Sequence, residues 1–214
     1  MQNLKSTVKF LEWEKSLLSN NIKIESIEEK YNVYKKNGEL LFALIHLKAT
    51  DNEGIPLLPM VLLRGHFVSV VTVLIDSSTN EKYFLLVKQR RVANGSIFFE
   101  HPAGMCDNEI DPYKVAIKEV MEETGLTIFK EDLHLLWDKP LYSSPGLLDE
   151  AGYFFYCEVK LDSKELNSFR NKITGAKDEN EHIETFLCPS HDILKYIENS
   201  NGVLASLLYL QKSV

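Results

Sequence analysis

Three glutamates, Glu119, Glu122 and Glu123, stand in the short run KEVMEETGL over residues 118–126. At about 100 degrees per helical residue they share a sector of roughly 100 degrees, while Ile117, Val120, Met121 and Thr124 fall on the other side. One face is expected to be core and the other carboxylate. Like charges three and four residues apart cost a helix about 0.2–0.5 kcal/mol per pair, and their place near its C-terminal end also opposes the helix dipole. A compensating positive charge is therefore expected. Hard divalent cations such as Mg²⁺ prefer oxygen ligands, and carboxylates so arranged can hold them beside a phosphate. The same helix also reads as an ordinary solvated acidic face, so its flanks decide between the two.

Periodicity and turn chemistry predict the elements around it. Phe10, Trp13 and Leu17 recur at helical spacing, and the polar residues 19–21 look like the stop of that helix. Residues 23–63 turn strand-like, with a hairpin turn expected at KNGE, residues 36–39. Two apolar runs, FVSVVTVLI from Phe67 and KYFLLVKQ from Lys82, read as buried strands. Beyond the glutamate helix, strands are expected near residues 133–137 and 153–159, a helix from about Ser163, and two closing helices from Pro189 and Val203. No repeat, low-complexity tract or long linker interrupts the chain, and strands and helices mix without a regular βαβ alternation. An α+β domain or a layered α/β/α sandwich follows.

Composition narrows the function classes. The 214 residues, 44% of them hydrophobic, suffice for one compact domain or for one domain with a small appendage. A net charge of −7 and a pI of ≈ 5.4 leave no basic field for nucleic acid. Charges interrupt the N-terminal residues too often for a signal peptide, and no later segment approaches a membrane span. Cys106, Cys157 and Cys188 are odd in number and lack CxxC spacing, which argues against a disulfide framework and a structural zinc site. A reducing, cytoplasmic setting with no membrane and no nucleic-acid partner is expected.

The flanks of the glutamate helix resemble the signature of the Nudix hydrolases, G-x5-E-x7-R-E-U-x-E-E-x-G-U, where U is aliphatic. Counted from Gly104, the residues Glu119, Val120, Glu122, Glu123, Gly125 and Leu126 fall in register with it. Two positions depart: the first glutamate of the signature falls on Ile110, and its arginine is Lys118. In the family that glutamate braces the loop and helix, and Asp107 or Glu109 is the candidate substitute here.

The resemblance extends beyond the signature. VKQRRVANGSIFFEHPAG, residues 87–104, is similar to the KQxR and E-x-PAG segments of the ADP-sugar diphosphatase branch, through Lys88, Gln89, Arg91, Glu100, Pro102, Ala103 and Gly104. SSPGLLDE at 143–150 resembles that branch's SPG loop, and DENEHIE at 178–184 resembles its acidic catalytic loop. The resemblance implies the Nudix fold, a mixed sheet between helices preceded by an N-terminal antiparallel β extension. Residues 1–65 would then form a dimerisation region of helix and antiparallel strands, residues 66–214 the hydrolase domain, and the assembly a homodimer. Trp13 and the other aromatics of the first region would lie at the interface or against a base, with ordinary core packing as the alternative for each.

Roles for individual residues follow from the same resemblance. Glu119 and Glu123 would be the main metal ligands and part of the catalytic set, with Glu122, the Ala103 carbonyl and Glu181 as further ligands. Glu179 would be the general base, and the cofactor two or more Mg²⁺ ions, with Mn²⁺ as a substitute. Arg91 would grip a phosphate or the terminal sugar through its guanidinium, or else pair with Glu100, which belongs to the same matched segment of substrate contacts. Arg64 is a further candidate contact or a surface charge; Ser144, Pro145 and Gly146 either shape the pocket or simply make a turn. His66, His101 and His182 lie near these segments, and no histidine is assigned a catalytic role. The expected reaction is hydrolysis of ADP-ribose or ADP-glucose to AMP and a sugar phosphate. A UDP-sugar diphosphatase and a non-hydrolysing nucleotide-sugar sensor are the alternatives.

Overall fold

The computed structural model describes residues 3–175 and 183–212. The chain divides into two compact units, one of residues 1–67, 105–110 and 141–152, the other of residues 68–104, 111–140 and 153–214. Thr7, extended, caps the first helix of the first unit, α1 (Val8–Ser19), through a bond from Phe10 N to its hydroxyl. A three-stranded antiparallel sheet follows, β1 (Lys23–Tyr34), β2 (Leu40–Thr50) and β3 (Met60–Leu63), with β2 in the middle. Alternate residues of β2, Ala43, Ile45, Leu47 and Ala49, are buried and pack with Phe10, Trp13, Leu40 and Leu63. Trp13 meets Phe10 edge-on at 5.6 Å, so it serves as core.

The second unit is built on a larger sheet. Its main path runs β11 (Ile173–Thr174), β12 (Ile183–Pro189), β5 (Lys82–Arg90), β4 (Phe67–Asp76), β10 (Ala151–Leu161) and β8 (His134–Leu135). Two short strands sit off this path, β6 (Ile97–Glu100) on β5 and β7 (Ala103–Met105) on β4, while β9 (Leu141–Tyr142) lies in the first unit and pairs there with Ala151 and Gly152 at the start of β10. The sheet is mixed. β12, β5 and β4 alternate in direction, whereas β4 and β10 run the same way, since Ser77 just past β4 donates to Leu161 O at the end of β10 (2.8 Å).

β4 is buried along nearly its whole length, which requires cover on both faces. Neighbouring residues of β10 show where the cover lies, because they point to opposite faces. Phe155 stacks edge-on with Tyr113 of α2 (Pro112–Thr124) at 4.8 Å, and Tyr156 meets Tyr209 of α5 (Ser200–Lys212) at 5.6 Å. The unit is thus an α/β/α sandwich, with α3 (Ser163–Asn167) and α4 (Ile193–Tyr196) as short connectors.

Three expectations need correction. The strand near 133–137 shrinks to His134–Leu135. The helix expected from Pro189 starts late, because Pro189 still pairs with Tyr83 as the last residue of β12; a 3₁₀ turn, Ser190–Asp192, then leads into α4. The last helix begins at Ser200 rather than Val203.

Candidate active site

α2 has clear local causes. Asp111 accepts from Tyr113 N at 3.0 Å and Pro112 opens the first turn, where its missing N–H costs nothing. At the other end Gly125 takes the left-handed conformation, φ 71°, that a side chain would strain. The carbonyls of the last turn are then met by one strand segment. Lys172 Nζ donates to Thr124 O (3.2 Å), the Thr174 hydroxyl to Glu123 O, and Gly175 N to Glu122 O (3.2 Å). Lys172 also brings positive charge to the end of the helix that favours it.

The division into a core face and a carboxylate face is corrected by burial. Val115, Ala116, Val120 and Thr124 are buried as core, but so is Glu123, at 4% exposure, while Met121 is 48% exposed. The reason is the segment at residues 102–104, which offers this side of the helix polar contacts. Val70 N anchors that segment by donating to Pro102 O (2.8 Å). Ala103 N then donates to Glu123 Oε2 (3.0 Å), and Gly104 packs against the Glu119 carboxyl so closely that a Cβ there would lie 2.1 Å from Glu119 Cδ. Two carboxylates and the Ala103–Gly104 backbone therefore converge.

Glu122 is engaged differently. Lys118 Nζ sits 2.9 Å from its Oε2 and 3.5 Å from Glu119 Oε1. Burial would lower the Lys118 pKa, yet the bond to Glu122 and the two carboxylate charges outweigh it and raise the value, so the ammonium stays charged. Among the described residues no three His, Cys, Asp or Glu side chains form a ready-made metal cage. The donor set still suits Mg²⁺, which is commonly held by one or two carboxylates together with waters and substrate phosphates.

Arg91 and Glu100 come together as an ion pair of 2.7 Å, and Asn199 Nδ2 adds a bond to Glu100 Oε1 (3.2 Å). Glu100 is 8% exposed, so its carboxylate is held on both oxygens inside the unit. His101 is buried, faces Ser206 Oγ at 2.8 Å, and is kept neutral by burial, which lowers its pKa to about 3. Asn199 and Ser206 carry no signal in the sequence, since only the docking of α5 brings them to these partners.

The other predicted contacts belong to the first unit. Arg64 pairs with Glu150 (3.0 Å), and its amide and that of Gly65 donate to Asp149. Ser144, Pro145 and Gly146 form a turn in which Ser144 O accepts from Leu147 N and Leu148 N. Pro145, Leu148 and Asp149 line a cavity of about 250 Å³ with Trp13, His66 and Tyr142. Ile110, in the place of the signature's first glutamate, is 75% exposed, and of its acidic neighbours Asp107 is taken by Lys9 and Lys35, each at 2.9 Å. Glu179, Glu181 and His182 lie outside the described residues.

Comparison with known proteins fits this geometry. Residues 65–207 match the model of the NUDIX domain, which is more than half of the chain. The chain belongs to the Nudix family. It is 30% identical over 158 residues to Nudix hydrolase 14, chloroplastic, of Arabidopsis thaliana, a match covering 70% of this chain and 50% of that protein. It is 32% identical over 131 residues to the ADP-ribose pyrophosphatase of Bacillus subtilis (strain 168), covering 61% and 64% respectively. The chain thus spans between about half and two thirds of the length of these curated relatives. A crystal structure of an ADP compounds hydrolase superposes with a TM-score of 0.59 at 18% identity, covering 89% of this chain and 93% of the other, a likeness of fold. No helix among the described residues is long and apolar enough to cross a membrane.

Proposed function

We propose that the chain is a divalent-metal-dependent pyrophosphohydrolase that cleaves the P–O–P linkage of a nucleoside diphosphate sugar, ADP-ribose or ADP-glucose, to AMP and a sugar phosphate. The observation that carries this reading is the convergence of Glu119 and Glu123 on Ala103 and Gly104. Membership of the Nudix family and the name of the B. subtilis relative support it.

Glu119, Glu123 and the Ala103 carbonyl would hold Mg²⁺, or Mn²⁺ in its place, with Glu122 and Glu181 as further ligands. The ion would neutralise the charged oxygens of the diphosphate and polarise phosphorus toward water. The chain's own residues do the rest. Ala103 N–H fixes the Glu123 carboxylate, and the absence of a side chain at Gly104 lets the Glu119 carboxylate come close to the backbone there. Lys118 holds Glu122 beside them and keeps three like charges on one helix tolerable. Glu179 is the proposed general base, taking the proton of the attacking water. Arg91 is the proposed phosphate or sugar contact, held by Glu100 so that part of its fork stays turned to solvent, at 44% exposure. Arg64 and the turn at Ser144, Pro145 and Gly146 are proposed as further pocket residues. The division of labour between residues 1–65 and 66–214, a homodimer and a cytoplasmic location belong to the same proposal.

The test is sugar phosphate release from ADP-ribose, ADP-glucose and UDP-glucose with Mg²⁺, Mn²⁺ or EDTA. Metal-dependent cleavage of an ADP-sugar supports the reading. Cleavage of UDP-glucose alone moves the base specificity. Silence across the panel, with Mg²⁺ and nucleotide sugar still raising Tm, replaces it by a binding module.

A further inference from the structure

Asn199 stands just before α5, and its carbonyl accepts from Val203 N (3.0 Å), so it occupies the cap position of that helix. An asparagine there ordinarily turns its side-chain oxygen back to an amide of the first turn. Asn199 does not. Its Oδ1 is buried and, among the described residues, accepts no hydrogen bond, although a Cβ on Gly202 would come within 2.2 Å of it. Its Nδ2 is given instead to Glu100 Oε1 (3.2 Å). The carboxylate dictates that orientation, because an ionised carboxylate offers only acceptors and must face the NH₂ end of the amide.

What Asn199 holds is the far side of a functional pair. Glu100 Oε2 accepts from Arg91 Nε at 2.7 Å. The Arg91 main chain is fixed as well, since its amide donates to Ser96 O (3.0 Å) and its carbonyl accepts from Gly95 N (2.9 Å) across the turn between β5 and β6. The stretch that carries Asn199 is docked beside the same strand: Ile197 forms a parallel bridge with Phe99 of β6, and Tyr196 meets Phe99 edge-on at 5.5 Å. Asn199, Glu100 and Arg91 are thus one chain of contacts inside the second unit, ending in an arginine side chain that is 44% exposed.

We propose that Asn199 is a positioning residue for substrate binding: by holding Glu100 Oε1 it fixes the carboxylate that aims the Arg91 guanidinium. The inference rests on the reading of Arg91 as a contact to the phosphate or sugar of the substrate. It gives the last helix of the chain a share in substrate affinity through a residue that touches no substrate itself.

The experiment uses the full chain, with ADP-ribose affinity read by calorimetry in EDTA and KM and kcat read in Mg²⁺. Asn199→Asp separates a cap from a positioning residue. Aspartate caps a helix as well as asparagine does and its charge suits a helix N-terminus, so a cap alone predicts an unchanged or higher Tm with unchanged affinity. Ionised, it has no proton to give Glu100 and sets a second carboxylate against it, so the positioning role predicts that Kd and KM rise about tenfold while kcat stays within about twofold. Asn199→Ser, which also caps but is too short to reach Glu100, is expected to act the same way and carries the test should Asn199→Asp not fold. In an Arg91→Ala background neither substitution should weaken binding further. Wild-type Kd and KM in the folded Asn199 variants, or a loss that persists undiminished without Arg91, overturns the proposal. Arg91→Ala is itself the control: wild-type ADP-ribose affinity there refutes the substrate-contact reading, whereas a loss there with no change in the Asn199 variants refutes the positioning role alone.

Discussion

Gly104→Ala isolates the placement of one carboxylate from the stability of the fold. The φ of Gly104 lies outside the left-handed range, so alanine meets no backbone strain, and the obstacle is Glu119, with Cδ 2.1 Å, Oε1 2.4 Å and Cγ 2.6 Å from the new methyl. Ordinary contact begins at 3.4 Å, so the carboxyl group must retreat by more than an ångström. It is the far end of a flexible side chain and can do so by leaving its rotamer, at about 0.5–1.5 kcal/mol. Replacing glycine returns about 0.4–1 kcal/mol through the unfolded chain. The two nearly cancel, so Tm should move by only a few degrees. Function should not survive so well, because a misplacement of about 1 Å costs on the order of 100-fold in rate. The assay is ADP-ribose turnover in saturating Mg²⁺ beside thermal melting. Wild-type kcat in the folded variant would refute the claim that the Glu119 carboxylate must lie on Gly104. A large fall in Tm would show that the methyl displaces backbone instead.

Other perturbations separate fold from chemistry elsewhere. Glu123→Gln keeps an acceptor for Ala103 N, so it should melt close to the wild type yet lose metal-dependent turnover. Glu123→Ala leaves that amide unpaired and should cost a further 1–3 kcal/mol or so in urea denaturation. Glu179→Gln should lower kcat by roughly 100-fold while ADP-ribose binding, measured by calorimetry, persists; loss of binding with unchanged turnover per complex would make Glu179 a ligand or an anchor. The buried His101, with its pKa lowered to about 3 from an ordinary 6.5, binds a proton in the unfolded chain between those values but not in the folded one. Stability should therefore fall as pH drops through that window, at up to about 1.4 kcal/mol per pH unit. His101→Gln should flatten the dependence between pH 7 and pH 5, and an unchanged slope would assign it to other groups.

What the sequence revealed was local. The hairpin at Lys36–Glu39, the buried runs of β4 and β5 and the end of α2 at Gly125 are written in adjacent residues, through Asn-Gly, apolar runs and a terminal glycine. The shared sector of Glu119, Glu122 and Glu123 was legible from helix geometry, and the register of Gly104 with them from the resemblance to the Nudix signature. The burial of Glu123 was not, since it depends on the backbone of Ala103, and no periodicity announces an amide. Nor was the fate of Asp107. Its partners Lys9 and Lys35 lie some seventy and more residues away on separate elements, and an ion pair between distant segments leaves no pattern at either end. The Arg91–Glu100 pair was within reach because nine residues and a hairpin join them.

The closure of α2 by Lys172, Thr174 and Gly175 has a kinetic consequence. A helix end ordinarily frays, and groups on its last turn sample open conformations at little cost. Here the carbonyls of Glu122, Glu123 and Thr124 are bonded to a strand segment that is itself laced into the sheet, where Asn171 N donates to Thr185 O and Lys172 N to the Thr185 hydroxyl. The last turn can open only if that segment opens with it. In amide hydrogen exchange the two should therefore behave as one cooperative unit, with the Gly175 amide and those of the final helical turn exchanging at a common rate. The glutamates stand on a helix end that moves on the timescale of the sheet.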